Sequence, residues 1–300
     1  TQLRHVGPAD AGRSRPVRLG YRPPYDAAAL LAFFAARQIP AVEAADTRVL
    51  RRTARLSSGN AEHAGWLEAT FEPARSRVAL TVSDSLLPVL PQVIARVRAM
   101  LDLDADPAAI ATVLHGDFPE GDGLRVPGCF DGFELAVRAV LGQQVTVAAA
   151  RTLVQRLVER FGTPIETPWP GLNRTFPAAA ALASAEGEAL GQLGIVRQRQ
   201  AAIVALARAV DSGQLALHAH ADVEATTVAL CQLPGIGDWT AQYIAMRALR
   251  WPDAFPSGDV ALHKALGVQG ARQAARAAAE RAQGWRPWRS YAVVRAWATL

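Results

Sequence analysis

The stretch LPGIGDWTA, residues 233–241, joins two predicted helices through a short glycine-containing turn. A helical pattern runs over residues 222–232, and a second one begins directly after Gly237. Pro234 ends the first helix, while Gly235 and Gly237 permit a positive φ and a close approach to another molecule. The first N–H groups of the second helix then point outward, where they can bind a phosphate. Taken alone, a G-x-G turn of this kind is more often an ordinary connection between helices.

Length, composition and charge bound the possible classes of protein. The chain has 300 residues, enough for two domains, and 50% of them are hydrophobic, which indicates a folded protein. The formal net charge of +5 fits a nucleic-acid partner but does not establish one. Lys264 is the only lysine among 32 lysine and arginine residues. GC-rich codon usage is one source of such a bias. The scarcity of lysine still leaves a single candidate for any mechanism that needs a lysine amine.

Cysteine content and hydrophobic patterning exclude several kinds of site. Cys129 and Cys231 are too few and too far apart for a disulfide framework, a CxxC zinc site or an iron–sulfur cluster. No run of about 18 apolar residues lacks a charge, which argues against a membrane span. Residues 1–20 lack an apolar signal core and an initiator methionine, so we expect a linker-like tail cut from a longer polypeptide in a cytoplasmic, reducing compartment.

The hydrophobic pattern divides the chain into an α+β unit and a helical body. In the first unit, Asp26 can cap a helix over residues 27–37. Strand-like runs follow at 47–56, 66–72 and 77–83, and a further helix is predicted at about 87–101. From residue 107 onward almost every segment is helical, with helices predicted at 108–114, 131–141, 146–161, 177–184, 186–193, 197–210, 222–232, 239–249, 260–266, 270–283 and 288–299.

These patterns predict the domain organisation. The boundaries are a linker-like tail at 1–20, an α+β domain at 21–105, a connector or part of the C-terminal helical subdomain at 106–128, a helical subdomain ending in the two-helix hairpin at 129–250, and a C-terminal helical subdomain at 251–300. The sequence has no fixed-period repeat, which makes a solenoid an unsuitable alternative.

Several further motifs accompany the hairpin, in a fixed order along the chain. They are YRPPYD (21–26), FFAAR (33–37), LRVPGCFDGFELAVRAVLGQQV (124–145), LPGIGDWTAQYIAMR (233–247), PSGD (256–259) and WRPWRSYA (285–292). Together they resemble the helix-hairpin-helix DNA glycosylases, and among these the AlkA-type 3-methyladenine DNA glycosylases. The resemblance covers almost all of residues 21–300. It implies a TATA-binding-protein-like α+β unit, followed by a helix-hairpin-helix body of two helical subdomains with the active-site cleft between them. AlkA-type modules also occur fused behind an Ada-type segment, which agrees with the expected tail.

Asp259 is the candidate catalytic residue. The resemblance implies this role, because such enzymes carry their essential carboxylate just downstream of the hairpin. Taken alone, an Asp after Ser257 and Gly258 is also a good helix N-cap, and the two roles can coexist. Glycosidic cleavage builds positive charge on the deoxyribose, which a nearby carboxylate stabilises. The same group can orient or deprotonate the attacking water, and the sequence leaves the choice open.

The resemblance places four aromatic residues in a pocket for the flipped base: Trp239, Tyr243, Trp288 and Phe33. Electron-rich aromatic walls suit an electron-poor alkylated purine. Without the resemblance, aromatic residues at helical spacing are more often part of the core. Val260 follows Asp259 where the family has a Tyr, a departure that can make the pocket roomier or alter base preference.

Trp239 also bears on the class of reaction. Lyase-type members of the superfamily carry a lysine at this point of the hairpin motif, where it forms a Schiff base with the sugar. This chain has Trp239 there, and its only lysine, Lys264, lies elsewhere. The resemblance therefore implies a glycosylase without lyase activity, and Lys264 is expected to contact phosphate or lie on the surface.

The resemblance assigns other residues to DNA binding. The hairpin residues are Leu233, Pro234, Gly235, Ile236, Gly237 and Thr240. Gln143 and Gln144 would form a loop that fills the gap left by the flipped nucleotide, although relatives often place an apolar residue at the position of Gln144. A polar, helix-breaking loop is the alternative. Main-chain oxygens of Cys231, Leu233 and Gly235 are candidate ligands for a monovalent cation, and no other cofactor is expected.

The leading hypothesis is a monomeric, monofunctional DNA glycosylase. It would flip alkylated purines such as 3-methyladenine and 7-methylguanine out of double-stranded DNA and hydrolyse their glycosidic bonds, the first step of base excision repair. One alternative is a DNA-binding or damage-sensing module without turnover. Another is a glycosylase for oxidised or deaminated bases.

Overall fold

The computed structural model describes residues 16–59, 61–185 and 187–300. Residues 1–15 of the predicted tail therefore lie outside the described residues. The rest of that tail contains a strand, Val17–Gly20, whose Val17 pairs with Leu80 in an antiparallel sheet. The boundary predicted after residue 20 is wrong, because these backbone groups bond to the sheet and so belong to the α+β unit.

The α+β unit is built on an antiparallel sheet of five strands. They are β1 (Val17–Gly20), β2 (Glu43–Ala45), β3 (Val49–Ser58), β4 (Ala61–Glu72) and β5 (Arg77–Val82), in the spatial order β1-β5-β4-β3-β2. The three long strands were predicted, and a 3₁₀ turn at Pro73–Arg75 joins β4 to β5. The pattern missed β1 and β2, which are short strands at the two edges of the sheet.

Two helices, α1 (Ala27–Arg37) and α2 (Leu90–Met100), complete this unit. Asp26 caps α1 as predicted, accepting the N–H of Ala29 at 2.8 Å. α1 buries Leu30, Leu31 and Phe34 in the core that the two helices share with the sheet. The predicted helix at 87–101 divides into a 3₁₀ segment, Asp84–Val89, and α2, because Pro88 and Pro91 interrupt the α-helical hydrogen bonds.

The rest of the chain is helical, as predicted. The helices are α3 (Pro107–Leu114), α4 (Gly132–Leu141), α5 (Val147–Phe161), α6 (Ala179–Ala183), α7 (Gly187–Gly191), α8 (Arg197–Asp211), α9 (Val223–Gln232), α10 (Asp238–Arg247), α11 (Val260–Ala265), α12 (Ala274–Arg281) and α13 (Arg289–Trp297). In the part of the chain that the structure describes, no helix is both long and apolar enough to cross a bilayer.

The helices share two separate apolar cores. One is formed mainly by α4, α5, α8, α9 and α10 and contains Val140, Leu206 and Ile244. The other gathers α3 with α11, α12 and α13 around Trp285. α3 thus packs with the C-terminal helices although it precedes the other core in the chain. This division is the one expected for two helical subdomains.

A buried network of four charged residues joins the sheet to α4. Glu43 on β2 and Arg52 on β3 meet Glu134 and Arg138, with Arg52 and Glu134 only 2.7 Å apart. Arg138 lies 2.7 Å from Glu43 and 2.8 Å from Glu134. It also donates to the main-chain carbonyl of Arg37, at the end of α1. The two carboxylates and the two guanidinium groups balance in charge, as buried ions require.

Candidate active site

A cavity of about 740 Å³ lies where the α+β unit meets both helical subdomains. Its walls include Phe33 and Arg37 from α1, Cys129 and Phe130 from the connection to α4, Trp239, Tyr243 and Arg247 from α10, Asp259 before α11, and Trp297 from α13. A purine base fits within such a volume, and both aromatic surface and charge surround it.

Asp259 forms part of the cavity wall and is held by three N–H donors. Its Oδ1 accepts the main-chain N–H of Leu262 at 2.6 Å and so caps α11. Nε1 of Trp239 donates to Oδ2 at 3.0 Å, and Nε1 of Trp297 donates to Oδ1 at 3.2 Å. The helix cap and the cavity carboxylate are therefore the same group. These donors fix the orientation of the carboxylate and stabilise its negative charge.

Trp239 and Tyr243 form one aromatic wall. Their rings stack with centroids 5.4 Å apart and an interplanar angle of 15°. The hydroxyl of Tyr243 accepts a hydrogen bond from Arg247. Both residues line the cavity, and their contact with a flipped base stays a prediction.

Phe33 also lines the cavity, but its ring is covered by cations. The guanidinium carbon of Arg37 lies 3.8 Å from the ring centroid and that of Arg247 lies 4.8 Å from it. Burial lowers the pKa of Arg37, and the charges of Arg247 and Arg138 lower it further against an opposing effect of Tyr243. Phe33 therefore forms part of the cavity wall and also packs against the guanidinium groups of Arg37 and Arg247.

Trp288 is not among the described residues that line the cavity, so its predicted place in the pocket is wrong. It is the residue before α13, packs against the C-terminal core and meets the ring of Tyr291 edge-on at 5.8 Å. Trp297 lies in the cavity wall, where Trp288 was predicted. Nine helical residues amount to two and a half turns, so Trp288 and Trp297 face opposite sides of α13. A tryptophan in the last turn of the final helix was the signal that sequence reasoning overlooked.

Two candidate nucleophiles at or near the site differ in environment. Cys129 lines the cavity, but burial raises the pKa of its thiol to about 12. It is therefore protonated at neutral pH and unsuited to nucleophilic attack. Lys264 is exposed on α11 and does not belong to the described residues of the cavity wall.

The predicted hairpin connects α9 to α10. Gly235 has a φ of 75°, which explains the need for glycine at this position. Pro234 and Gly237 are exposed, whereas Ile236 and Thr240 are buried. Ile236 thus anchors the turn in the core, and the side chain of Thr240 is buried as well. The binding of DNA by the hairpin stays a prediction.

Gln143 and Gln144 have different places in the structure. The side-chain amide of Gln143 donates to the carbonyl of Gly235 at 3.0 Å and to the hydroxyl of Thr240 at 2.9 Å. Gln143 therefore ties the loop to the hairpin instead of projecting from it. Gln144 is exposed at a φ of 53°, a left-handed conformation at the break between α4 and α5. Of the pair, Gln144 is the exposed one, and its entry into DNA stays a prediction.

The predicted cation ligands are main-chain oxygens of Cys231, Leu233 and Gly235. The Gly235 oxygen accepts from Gln143, and the Leu233 oxygen accepts the N–H of Ile236 at 3.2 Å. Within the described part of the chain, each of these two oxygens accepts one hydrogen bond, which leaves a second lone pair for a ligand. The cation itself stays a prediction.

Comparison with known protein families finds a match for each of the two parts of the chain. Residues 16–131 match the AlkA N-terminal domain. Residues 137–290 match the HhH-GPD superfamily of base excision DNA repair proteins. The two matches divide the chain close to the start of α4.

Curated relatives match over almost the whole chain. A probable bifunctional transcriptional activator/DNA repair enzyme AlkA from Mycobacterium tuberculosis is 38% identical over 290 residues, which are 95% of this chain. The chain spans only 57% of the length of that relative. The DNA-3-methyladenine glycosylase 2 of Escherichia coli is 34% identical, and the match covers 94% of this chain and 96% of that protein.

Solved structures show the same fold. A 3-methyladenine DNA glycosylase from Archaeoglobus fulgidus superposes with a TM-score of 0.77 at 21% identity, over 94% of this chain and 97% of the other. An 8-oxoguanine glycosylase/lyase from Clostridium acetobutylicum, in complex with double-stranded DNA, reaches 0.61 at 13% identity, over 87% and 99%. With both domain matches and the E. coli relative, the chain belongs to the HhH-GPD superfamily of base excision DNA repair proteins, in its AlkA-type branch.

Proposed function

We propose that the protein is a monofunctional DNA glycosylase that hydrolyses the N-glycosidic bond of alkylated purines in double-stranded DNA. The observation that carries the proposal is the carboxylate of Asp259, held by three N–H donors in the wall of an aromatic cavity. The names of the relatives support the same substrate class, since the E. coli protein is a DNA-3-methyladenine glycosylase.

The cavity accounts for base flipping. A base inside a duplex cannot reach Asp259, so the damaged nucleotide must leave the stack and enter the cavity, where Trp239 and Tyr243 offer a stacked wall. The exposed Gln144 would then fill the gap in the duplex, and the N–H groups at the start of α10 would bind a phosphate. A cation on the hairpin carbonyls would add positive charge beside that phosphate.

Asp259 acts on the sugar. As the glycosidic bond breaks, positive charge develops on the deoxyribose, and a fixed carboxylate nearby stabilises it. Donors already occupy three of about four lone-pair positions on this carboxylate. Such saturation favours the electrostatic role over proton abstraction from water.

The lysine content supports hydrolysis without lyase chemistry. The single lysine, Lys264, is exposed on α11, and the resemblance to the family places Trp239 where lyases carry their nucleophile. Borohydride reduction in the presence of abasic DNA should therefore trap no covalent complex. A trapped complex that disappears in Lys264→Ala would overturn this part of the proposal. We further propose that the protein works as a monomer in the bacterial cytoplasm.

The decisive experiment measures base release from methylated duplex DNA under single-turnover conditions. We expect Asp259→Asn to lose at least ~100-fold in rate, because the fixed negative charge is removed while the helix cap remains. Asp222→Asn is the matched control, since Asp222 caps α9 in the same way, accepting Ala225 N–H at 2.8 Å, but lies outside the cavity wall.

The outcomes separate the candidate functions. Release by the wild type and by Asp222→Asn, but not by Asp259→Asn, supports the proposal. Equal release by all three proteins would refute the role of Asp259. No release from methylated DNA by any of them, together with tight DNA binding, would favour a module without turnover. A duplex panel carrying oxidised and deaminated bases tests the remaining alternative.

A further inference from the structure

Arg199, in the first turn of α8, contacts the loop that carries Gln144. Its guanidinium donates to the main-chain carbonyl of Gln143, which is 56 residues away in the sequence. Within the described part of the chain, this carbonyl is the only hydrogen-bond acceptor of the guanidinium. A guanidinium has five N–H donors in a fork that suits a carboxylate or a phosphate. Here the group holds one loop carbonyl instead.

The first turns of α8 also pack against the hairpin. A Cβ on Gly235 would lie 3.3 Å from the Cβ of Ala202 and 3.6 Å from the carbonyl oxygen of Gln198. From the other side, the side-chain amide of Gln143 donates to the carbonyl of Gly235 and to the hydroxyl of Thr240. The hairpin therefore holds the side chain of Gln143, while α8 holds its main chain.

The carbonyl that Arg199 holds belongs to the peptide unit that precedes Gln144. The rotation between this unit and the Cα atom of Gln144 is the φ angle, which is 53°. A left-handed conformation costs free energy in a residue other than glycine, and it persists only where the surroundings enforce it. Gln144 itself is exposed. The hydrogen bond from Arg199 fixes the plane of the preceding peptide and so helps to enforce the left-handed conformation.

We propose that Arg199 is a positioning residue for base flipping, which holds Gln144 in the conformation that fills the gap in the duplex. The inference rests on the proposed glycosylase function and on the proposed entry of Gln144 into DNA. A loop that already has its bound conformation loses less entropy on entering DNA, so Arg199 stabilises the flipped state. Arg199 is not among the described residues that line the cavity, and it therefore acts through the loop and not on the base.

The test compares one lesion in two duplexes. A single 7-methylguanine stands opposite cytosine in the first duplex and opposite an abasic site in the second, where no base pair has to be broken before flipping. Single-turnover release is measured from both, and the ratio of the paired to the unpaired rate reports on flipping. We expect Arg199→Met to lower this ratio at least ~10-fold, the size of one hydrogen bond from a charged donor. The ratio is independent of the fraction of folded protein.

Two further variants sharpen the result. Arg156→Met is the matched control, because among the described residues Arg156 also donates to a single carbonyl, that of Leu193 at 3.1 Å, shortly before α8. Its ratio should equal that of the wild type. Gln144→Gly removes the side chain that fills the gap, and glycine adopts the left-handed conformation without support. Its ratio should fall as well, and adding Arg199→Met to this variant should lower the ratio no further.

An unchanged ratio in Arg199→Met would overturn the inference, whether both rates are kept or both are lost together. So would an unchanged ratio in Gln144→Gly. A further fall of the ratio in the double variant would also overturn it, because Arg199 would then act without Gln144, for example by binding a DNA phosphate. A wild-type protein that releases 7-methylguanine from neither duplex would instead refute the proposed glycosylase function, so the two failures are distinguishable.

Discussion

The buried ion network between the sheet and α4 provides a quantitative test of how the α+β unit is attached. Glu134→Gln removes one carboxylate from a set of two carboxylates and two guanidinium groups. Arg52 then keeps only Glu43, whose carboxylate is 3.6 Å away, and Arg138 must share that same carboxylate. One buried positive charge is left without compensation.

The burial of the pair sets the size of the effect. The side chains of Arg52 and Glu134 are 5% and 4% exposed, and breaking such a pair costs about 3–5 kcal/mol. For a chain of 300 residues this corresponds to a fall in Tm of about 5–8 °C. Glu68→Gln is the matched control. Arg51 and Glu68 also lie 2.7 Å apart, but at 30% and 20% exposure their pair contributes only about 0–1 kcal/mol.

The same network predicts a dependence on pH. Burial opposes the ionisation of Glu134, but Arg52 and Arg138 overcome it and hold its pKa below the ordinary value of 4.5. A carboxyl group whose pKa is lower in the folded state stabilises the protein fully above that ordinary value. Its contribution is lost as the pH falls through the folded-state pKa. The difference between wild type and Glu134→Gln should therefore persist from pH 7 to about 5 and narrow below pH 4.5.

Urea denaturation at pH 7 and thermal melting between pH 7 and 3 measure both effects. The reasoning fails if Glu134→Gln lies within about 1 kcal/mol of the wild type, as expected for a surface pair. It also fails if the two substitutions at Glu134 and Glu68 cost the same, or if the difference in Tm does not change below pH 4.5.

Three more outcomes are expected. Trp297→Phe should slow base release about 10-fold or more, because one donor to the Asp259 carboxylate is lost, whereas Trp288→Phe should leave the rate unchanged in the same single-turnover assay. Gln143→Ala removes two hydrogen bonds that hold the hairpin and should lower the free energy of unfolding by about 1–3 kcal/mol, with weaker DNA binding in a fluorescence titration. Gly132→Ala would place a Cβ 1.9 Å from a backbone carbonyl oxygen and should destabilise the protein by about 3 kcal/mol, while Gly116→Ala, with no atom within 4 Å, should not. Equal melting temperatures for the two glycine variants would contradict the packing argument.

The helices could be predicted because their signals are local. Asp26 before an apolar run fixes the start of α1, and Pro234 with Gly235 marks the hairpin. The edge strands β1 and β2 left almost no such signal. They comprise VRLG and EAA, too short to show an alternation, and become strands only because β5 and β3 offer unpaired backbone groups.

The site residues could be predicted only in part, because some of them are brought together by tertiary packing and not by local sequence signals. Asp259, Trp239 and Tyr243 lie in or near motifs, and the structure brings them to one cavity. Trp297 was missed because its role depends on which side of α13 meets Asp259, which the packing of three helices decides. The contact of the Arg37 guanidinium with the Phe33 ring was invisible for the same kind of reason, since side-chain packing decides it.

The three donors to Asp259 also set the order in which the site can form during synthesis. The donors belong to residues 239, 262 and 297, so the last of them leaves the ribosome nearly sixty residues after the first. Domains begin to fold while the chain is still emerging. A nascent chain can therefore present a finished hairpin to DNA well before its carboxylate is fully held. The third donor, on α13, completes the set only after the last helix has been made.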